Sequence, residues 1–137
     1  MKITFRILLI LSLSFLVACD NDSSEIDEIK SVIIRNAEGT QSENLSQVLQ
    51  TLDEPLRENN KTICQYLFTY YDIKYDYDIL NVKLIDDTTA EVLVNLTTTK
   101  IKGPDFKNNK GKFKHLLKKK NGKWFINSTI IEQIEYL

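Results

Sequence analysis

The 137-residue chain contains two cysteines, one histidine, two prolines, four glycines and one tryptophan, and each scarcity removes a class of protein. One histidine excludes multi-histidine metal sites, and two cysteines are too few for a zinc knuckle or ribbon. So little glycine and proline excludes collagen-like and low-complexity chains. The 42% hydrophobic content is that of one ordinary globular domain with one core. No HExxH pair, phosphate-binding glycine loop or nucleophile elbow occurs, so the standard enzyme signatures are missing and no metal or cofactor is expected. A formal net charge of −1 gives nucleic acid nothing to bind, and none is expected as a partner.

What is present begins with a leader. Lys2 and Arg6 precede an apolar run from Ile7 to Ala18, interrupted only by Ser12 and Ser14. Crossing a bilayer takes about 20 apolar residues, so this run is too short for a transmembrane helix and reads as a secretory signal peptide. Leu16-Val17-Ala18-Cys19 resembles the lipobox of bacterial lipoproteins. The resemblance implies removal of residues 1–18, a diacylglyceryl thioether on Cys19 and acylation of the new amino terminus. The protein would then be held by lipid on the inner or outer membrane, facing away from the cytoplasm. Residues 19–24 are expected as a lipidated polar tether, and 25–137 as a single domain. With Cys19 alkylated, Cys64 has no disulfide partner in the chain, and its apolar surroundings mark it as a buried core residue.

Helical spacing governs the first half of the domain. Ser24 with Asp27 forms a capping box ahead of Ile26, Ile29 and Ile33, and Gly39 supplies a stop. Thr40 with Glu43 opens a second helix through Leu45, Val48, Leu49 and Leu52, ended by Pro55. A third is expected from Lys61 to about Tyr71. Past Asp76 the period becomes two: Leu80, Val82 and Leu84, an Asp86-Asp87 turn, then Ala90, Val92, Val94 and Leu96. Lys112 to Lys120 continues the alternation, Asn121-Gly122 is a hairpin turn, and Lys123 to Ile131 closes the sheet. In that last strand Trp124, Ile126, Ser128 and Ile130 are expected on one face. Helices first and an antiparallel meander afterwards define an α+β fold.

The segment from His115 to Ile126, with its Asn121-Gly122-Lys123-Trp124 turn, then Ile130 to Leu137, preceded by Asp86 to Val92, resembles small bacterial lipoproteins with a nuclear transport factor two-like, or cystatin-like, domain. The resemblance implies N-terminal helices packed on a curved antiparallel sheet of about four strands. It selects no function, because that fold hosts ligand binding, isomerase chemistry and protein pairing.

Alternation puts Phe113, His115 and Leu117 on one face, which in the resembled fold lines the concave side. Phe113, His115, Trp124 and Tyr136 form the candidate pocket for a small apolar ligand. Tyr66, Tyr70, Tyr71, Tyr75 and Tyr77 crowd a short stretch, either as packing between helix and sheet or as a protein-binding patch. Asp72, Asp76 and Asp78 lack the spacing of a calcium loop.

Charge is segregated: Lys100 to Lys123 holds ten lysines against Asp105 alone. Lys112, Lys114, Lys118, Lys119, Lys120 and Lys123 form the candidate basic surface, suited to anionic headgroups or simply to keeping strand edges soluble. The leading reading is a non-catalytic envelope module that binds a protein or a small apolar ligand, with a homodimer admitted. The alternatives are an isomerase-like or hydratase-like enzyme with His115 transferring a proton, and an inhibitor or immunity protein that uses the basic hairpins.

Overall fold

The computed structural model describes residues 20–137, so the expected signal peptide, residues 1–18, and the expected lipid site at Cys19 lie outside the described residues. Three helices, α1 (Asp20–Gln41), α2 (Leu45–Gln50) and α3 (Leu56–Tyr70), precede four strands, β1 (Asp72–Asp86), β2 (Thr89–Lys102), β3 (Asn109–Lys120) and β4 (Lys123–Tyr136). The strands form one open, curved antiparallel sheet in the order β1-β2-β3-β4. This is the expected α+β arrangement.

The helix boundaries differ from expectation in instructive ways. Residues 20–24, expected as a polar tether, are already helical, and Asp22 in the first turn suits the positive end of the helix dipole. Gly39 does not stop α1, which continues to Gln41. Its role is space: a Cβ there would sit 3.1 Å from the backbone nitrogen of Val48, so its absence lets α1 and α2 touch. The cap of α2 is Asn44, whose side chain accepts from the Gln47 amide at 3.1 Å, rather than Thr40. Pro55 caps the start of α3, which therefore begins at Leu56, ahead of the expected Lys61.

The sheet also starts earlier than the alternation past Asp76 announced. In β1, buried Ile73 and half-buried Tyr75 and Tyr77 face the helices, while Lys74, Asp76 and Asp78 face solvent. Asp76 pairs with Lys74 at 3.0 Å, and the three aspartates are spread along the outer face of the strand. The Asn121-Gly122 turn takes the positive φ angles of 50° and 73° that match the twist of the hairpin it closes. A register shift between Leu116 and Leu117 overturns the facial assignment of β4. Leu117 pairs with Ile126 but Leu116 pairs with Ser128, so Asn127 is an extra residue and the faces exchange beyond it. Trp124 and Ile126 face the helices as expected, but Thr129 and Ile131 follow them there, and Ser128 and Ile130 do not.

The core lies between the helices and the sheet, with Ile29, Val32 and Ile33 of α1 over Val92, Val94, Leu117, Trp124 and Ile126. Cys64 is part of it, and burial raises its thiol pKa. The chain between α2 and α3 is stitched to the β4 edge: the Ile126 amide donates to Thr51 O and the Asp53 amide donates to Ile126 O, each at 2.9 Å. Leu117 has no solvent exposure. Leu117→Ala should therefore cost about 2 to 5 kcal/mol in urea unfolding, with an unchanged m-value.

Candidate functional site

Helix α1 crosses the sheet like a beam fixed at both ends. At the β3–β4 hairpin, the Glu25 carboxylate accepts from Trp124 Nε1 at 2.6 Å and from Lys119 Nζ. At the start of β1, Gln41 Oε1 accepts from the Tyr75 amide at 2.7 Å, and its Nε2 donates to Ile73 O at 3.4 Å. Between these anchors Ile33, Asn36, Ala37 and Thr40 of α1 roof a cavity of about 220 Å³. Its floor is built from all four strands: Tyr75 and Tyr77 of β1, Val94 and Leu96 of β2, Phe113 and His115 of β3, and Thr129 of β4.

The polar groups of the cavity are largely committed. Asn36 Nδ2 donates to Thr51 Oγ1 at 2.7 Å, and Thr40 Oγ1 donates to the Asn36 carbonyl of its own helix at 2.9 Å. His115 Nδ1 is bonded to Thr129 Oγ1 at 2.8 Å. Desolvation disfavours the imidazolium and pushes the His115 pKa down to about 4, so the ring is neutral at physiological pH. Desolvation likewise raises the Tyr75 pKa, with Cys64 nearby adding to the effect. Among the described residues no Asp, Glu, Lys or Arg lines this cavity.

Of the four residues expected to share a pocket, the fold brings only Phe113 and His115 together. Trp124, 3% exposed, is a core residue whose indole N–H is used up by Glu25. It borders a different feature, a groove open to solvent between α1, α2 and the hairpin. Tyr136, at 62% exposure, lies on the outer end of β4 with the Lys107 ammonium over its ring. The other lining residues were not foreseen as a pocket, among them the polar Tyr75, Tyr77 and Thr129 of the floor. Tyr75 and Tyr77 alternate with Lys74, Asp76 and Asp78, a strand signal present in the sequence, whereas Thr129 faces inward only because of the bulge. The tyrosine cluster therefore divides: these two line the cavity, while Tyr66 and Tyr70 are exposed, with ring centroids 4.9 Å apart on α3.

The candidate basic surface is divided too. Lys114 pairs with Glu132 at 2.8 Å, Lys119 with Glu25, and Lys120 with Asp53 at 2.7 Å. Asn127 Nδ2 completes the Asp53 site at 3.0 Å. Burial works to raise the Asp53 pKa, but the Lys120 and Asn127 hydrogen bonds outweigh it and hold the carboxyl below its usual value. The Lys119 and Trp124 hydrogen bonds do the same for Glu25. Lys112, Lys118 and Lys123 have no ion-pair partner among the described residues, so half of the expected patch serves internal pairing.

Residues 31–137 match the family of the C-terminal domain of anti-sigma-I factor RsgI9. The chain belongs to that family. No curated protein sequence matches this family member significantly. Solved structures do. A ketosteroid isomerase-like protein from Erwinia carotovora atroseptica superposes with a TM-score of 0.65 at 16% identity, over 80% of this chain and 97% of that one. A domain of unknown function with a cystatin-like fold from Nostoc punctiforme gives 0.67 at 10% identity, over 80% and 76%. A type 2 hexachlorocyclohexane dehydrochlorinase gives 0.69 at 7% identity, over 85% and 90%. At such identities the likeness shows the fold alone, which is nuclear transport factor two-like, or cystatin-like. Among the described residues of this anti-sigma-factor domain relative, no helix is long and apolar enough to cross a membrane.

A histidine with a folded pKa near 4 and an unfolded value near 6.5 binds fewer protons when folded. Its contribution to stability is complete above pH 6.5 and is lost as pH falls toward 4. Between pH 7 and 5 the wild-type chain should lose up to about 2 kcal/mol relative to His115→Leu in chemical denaturation. Parallel pH profiles for the two chains would contradict the burial of a neutral ring.

Proposed function

We propose that the protein is a non-catalytic binding module of the cell envelope, held at a membrane by lipid on Cys19, and that the cavity under α1 takes up a small ligand. The observation that carries the binding half is an apolar cavity whose roof and floor come from five different elements, with its one histidine neutral. Such an enclosure, with a few convergent polar groups, is the usual form of a small-molecule site. The lipid half rests on the Leu16-Val17-Ala18-Cys19 resemblance. Asp20 opens α1 directly after that cysteine, so the domain would begin at the headgroups rather than at the end of a long linker.

Two points favour binding over proton-transfer chemistry. A base with a pKa near 4 is weakly driven to accept a proton at neutral pH, and no carboxylate among the described residues lines the cavity to assist it. The family's namesake is described by the sigma factor it opposes and not by a reaction. An isomerase-like role for His115 keeps one observation in its favour, the position of the ring in the cavity floor. An inhibitor role for the basic hairpins loses support, because Lys114, Lys119 and Lys120 are occupied by the chain's own acids.

Mass spectrometry of the protein extracted from its native envelope tests both halves. Denaturing spectra should show a chain beginning at Cys19 with thioether-linked acyl chains; an intact Met1 or an unmodified Cys19 sulfur would remove the membrane half. Native spectra should show a noncovalent small-molecule adduct that is lost in Ala37→Phe, which fills the cavity from its roof. An adduct that survives in that variant lies elsewhere, and the binding half fails.

A further inference from the structure

Gly111 is a glycine in the interior of β3, where strands ordinarily avoid it. It lies two residues before Phe113, on the same face of the strand, so the two positions share the floor beneath α1. A Cβ built on Gly111 would lie 2.6 Å from Cε2 and 2.9 Å from Cζ of Phe113. The Phe113 ring therefore occupies the space that any other residue at 111 would fill. It lies back over the glycine backbone, away from His115 on its other side along the strand.

The ring has few alternatives. Side chains on a strand either lean along it or stand up from it in staggered positions. If the ring cannot lean over residue 111, the remaining positions put it upright into the cavity or toward His115. Either would consume much of the 220 Å³. The two nearest atoms to the hypothetical Cβ are the far end of a side chain and the third is the Gln133 carbonyl oxygen of β4 at 3.1 Å, so a methyl group there asks the ring to move and the β4 backbone to give by a few tenths of an ångström.

The rest of the lining restricts what the space can hold. An apolar cavity of about 150 Å³ holds a benzene molecule, so this one is sized for a single ring with a short substituent, about ten heavy atoms. A charged ligand would give up its hydration with no opposite charge among the described lining residues to replace it. With Asn36 Nδ2 and the Thr40 hydroxyl already donating within the fold and His115 Nδ1 bonded to Thr129, His115 Nε2, Asn36 Oδ1 and the Tyr75 and Tyr77 hydroxyls are left to address a ligand.

From this we infer that the cavity, kept open by the missing side chain at Gly111, takes an uncharged single-ring molecule carrying a hydroxyl or similar neutral hydrogen-bonding group beside His115. The inference rests on the binding half of the proposed function and deepens it by naming the ligand class and the residue that sets the size.

Fluorine NMR titration of the full chain, held in nanodiscs if it is lipidated and free if it is not, tests the assignment. The probes are 4-fluorobenzyl alcohol, 4-fluorobenzoate and 4-fluorobenzylamine, with empty nanodiscs as the partition control. The alcohol should give a saturable, protein-dependent shift, and both charged probes should bind at least tenfold more weakly. Gly111→Ala should weaken the alcohol by a similar factor while leaving the backbone spectrum folded. Ala37→Leu, which fills the cavity from its roof and leaves the β3 sequence unchanged, should do the same and serves if Gly111→Ala does not fold. Charged probes binding as well as the alcohol would overturn the ligand class alone. Undiminished binding in Gly111→Ala would overturn its role in setting the size. No saturable shift with any probe would overturn this inference, while the small-ligand reading stands or falls separately on the native-envelope adduct and its loss in Ala37→Phe.

Discussion

Everything distinctive about this domain follows from one helix being pinned at both ends across a curved sheet. Glu25 holds the start of α1 to Lys119 and Trp124, and Gln41 holds its end to the backbone of Ile73 and Tyr75. Near the hairpin, Ile29, Val32 and Ile33 pack into the core and leave no space. Further along, small or short side chains such as Ala37 and Thr40 line a gap between helix and sheet that they do not fill. The cavity is the region under the beam that packing does not reach.

The same anchoring accounts for the charge pattern. Along the sequence the lysines of β3 and its hairpin look like a block of one sign awaiting an external partner. In space, acids from the start of α1, from the α2–α3 connection and from β4 come to meet them. Asp53 is the most buried of these acids, and it is held by Lys120 and Asn127 beside the point where its own backbone joins the β4 edge. One bonded cluster thus ties the helical layer to the sheet where the hairpin turns. Of the six lysines of the candidate basic surface, Lys112, Lys118 and Lys123 have no ion-pair partner among the described residues.

Much of the architecture was legible because it rests on short-range chemistry. The three helices, the meander, the Asn121-Gly122 hairpin and the inward face of β3 could all be read from periodicity and turn residues. The misplaced boundaries arose where a residue's local preference was overruled by a neighbour in space. Gly39 looks like a helix stop, yet it serves the contact with Val48 inside a longer α1. Tyr75 and Tyr77 read in the sequence as one aromatic cluster with Tyr66, Tyr70 and Tyr71, for helix–sheet packing or protein binding, and that grouping does not separate the two that line the cavity from β1. The candidate site was half legible: Phe113 and His115 follow from alternation within one strand, while Trp124 and Tyr136 were grouped with them on shared aromatic character, which does not specify position.

What the sequence determined alone was the class of fold, the face on which His115 lies and the scarcity of metal-binding and nucleophilic groups. These depend on residue identity and on spacing within single elements, which a chain carries before it folds. Tertiary structure decided which lysines are free, which tyrosines line the cavity, where Thr129 points and that the room beside His115 exists. Each depends on a bulge, a helix end or an ion pair that brings together residues far apart in the chain. The energy of such contacts is set by distance and burial, and neither quantity is written in the order of the residues.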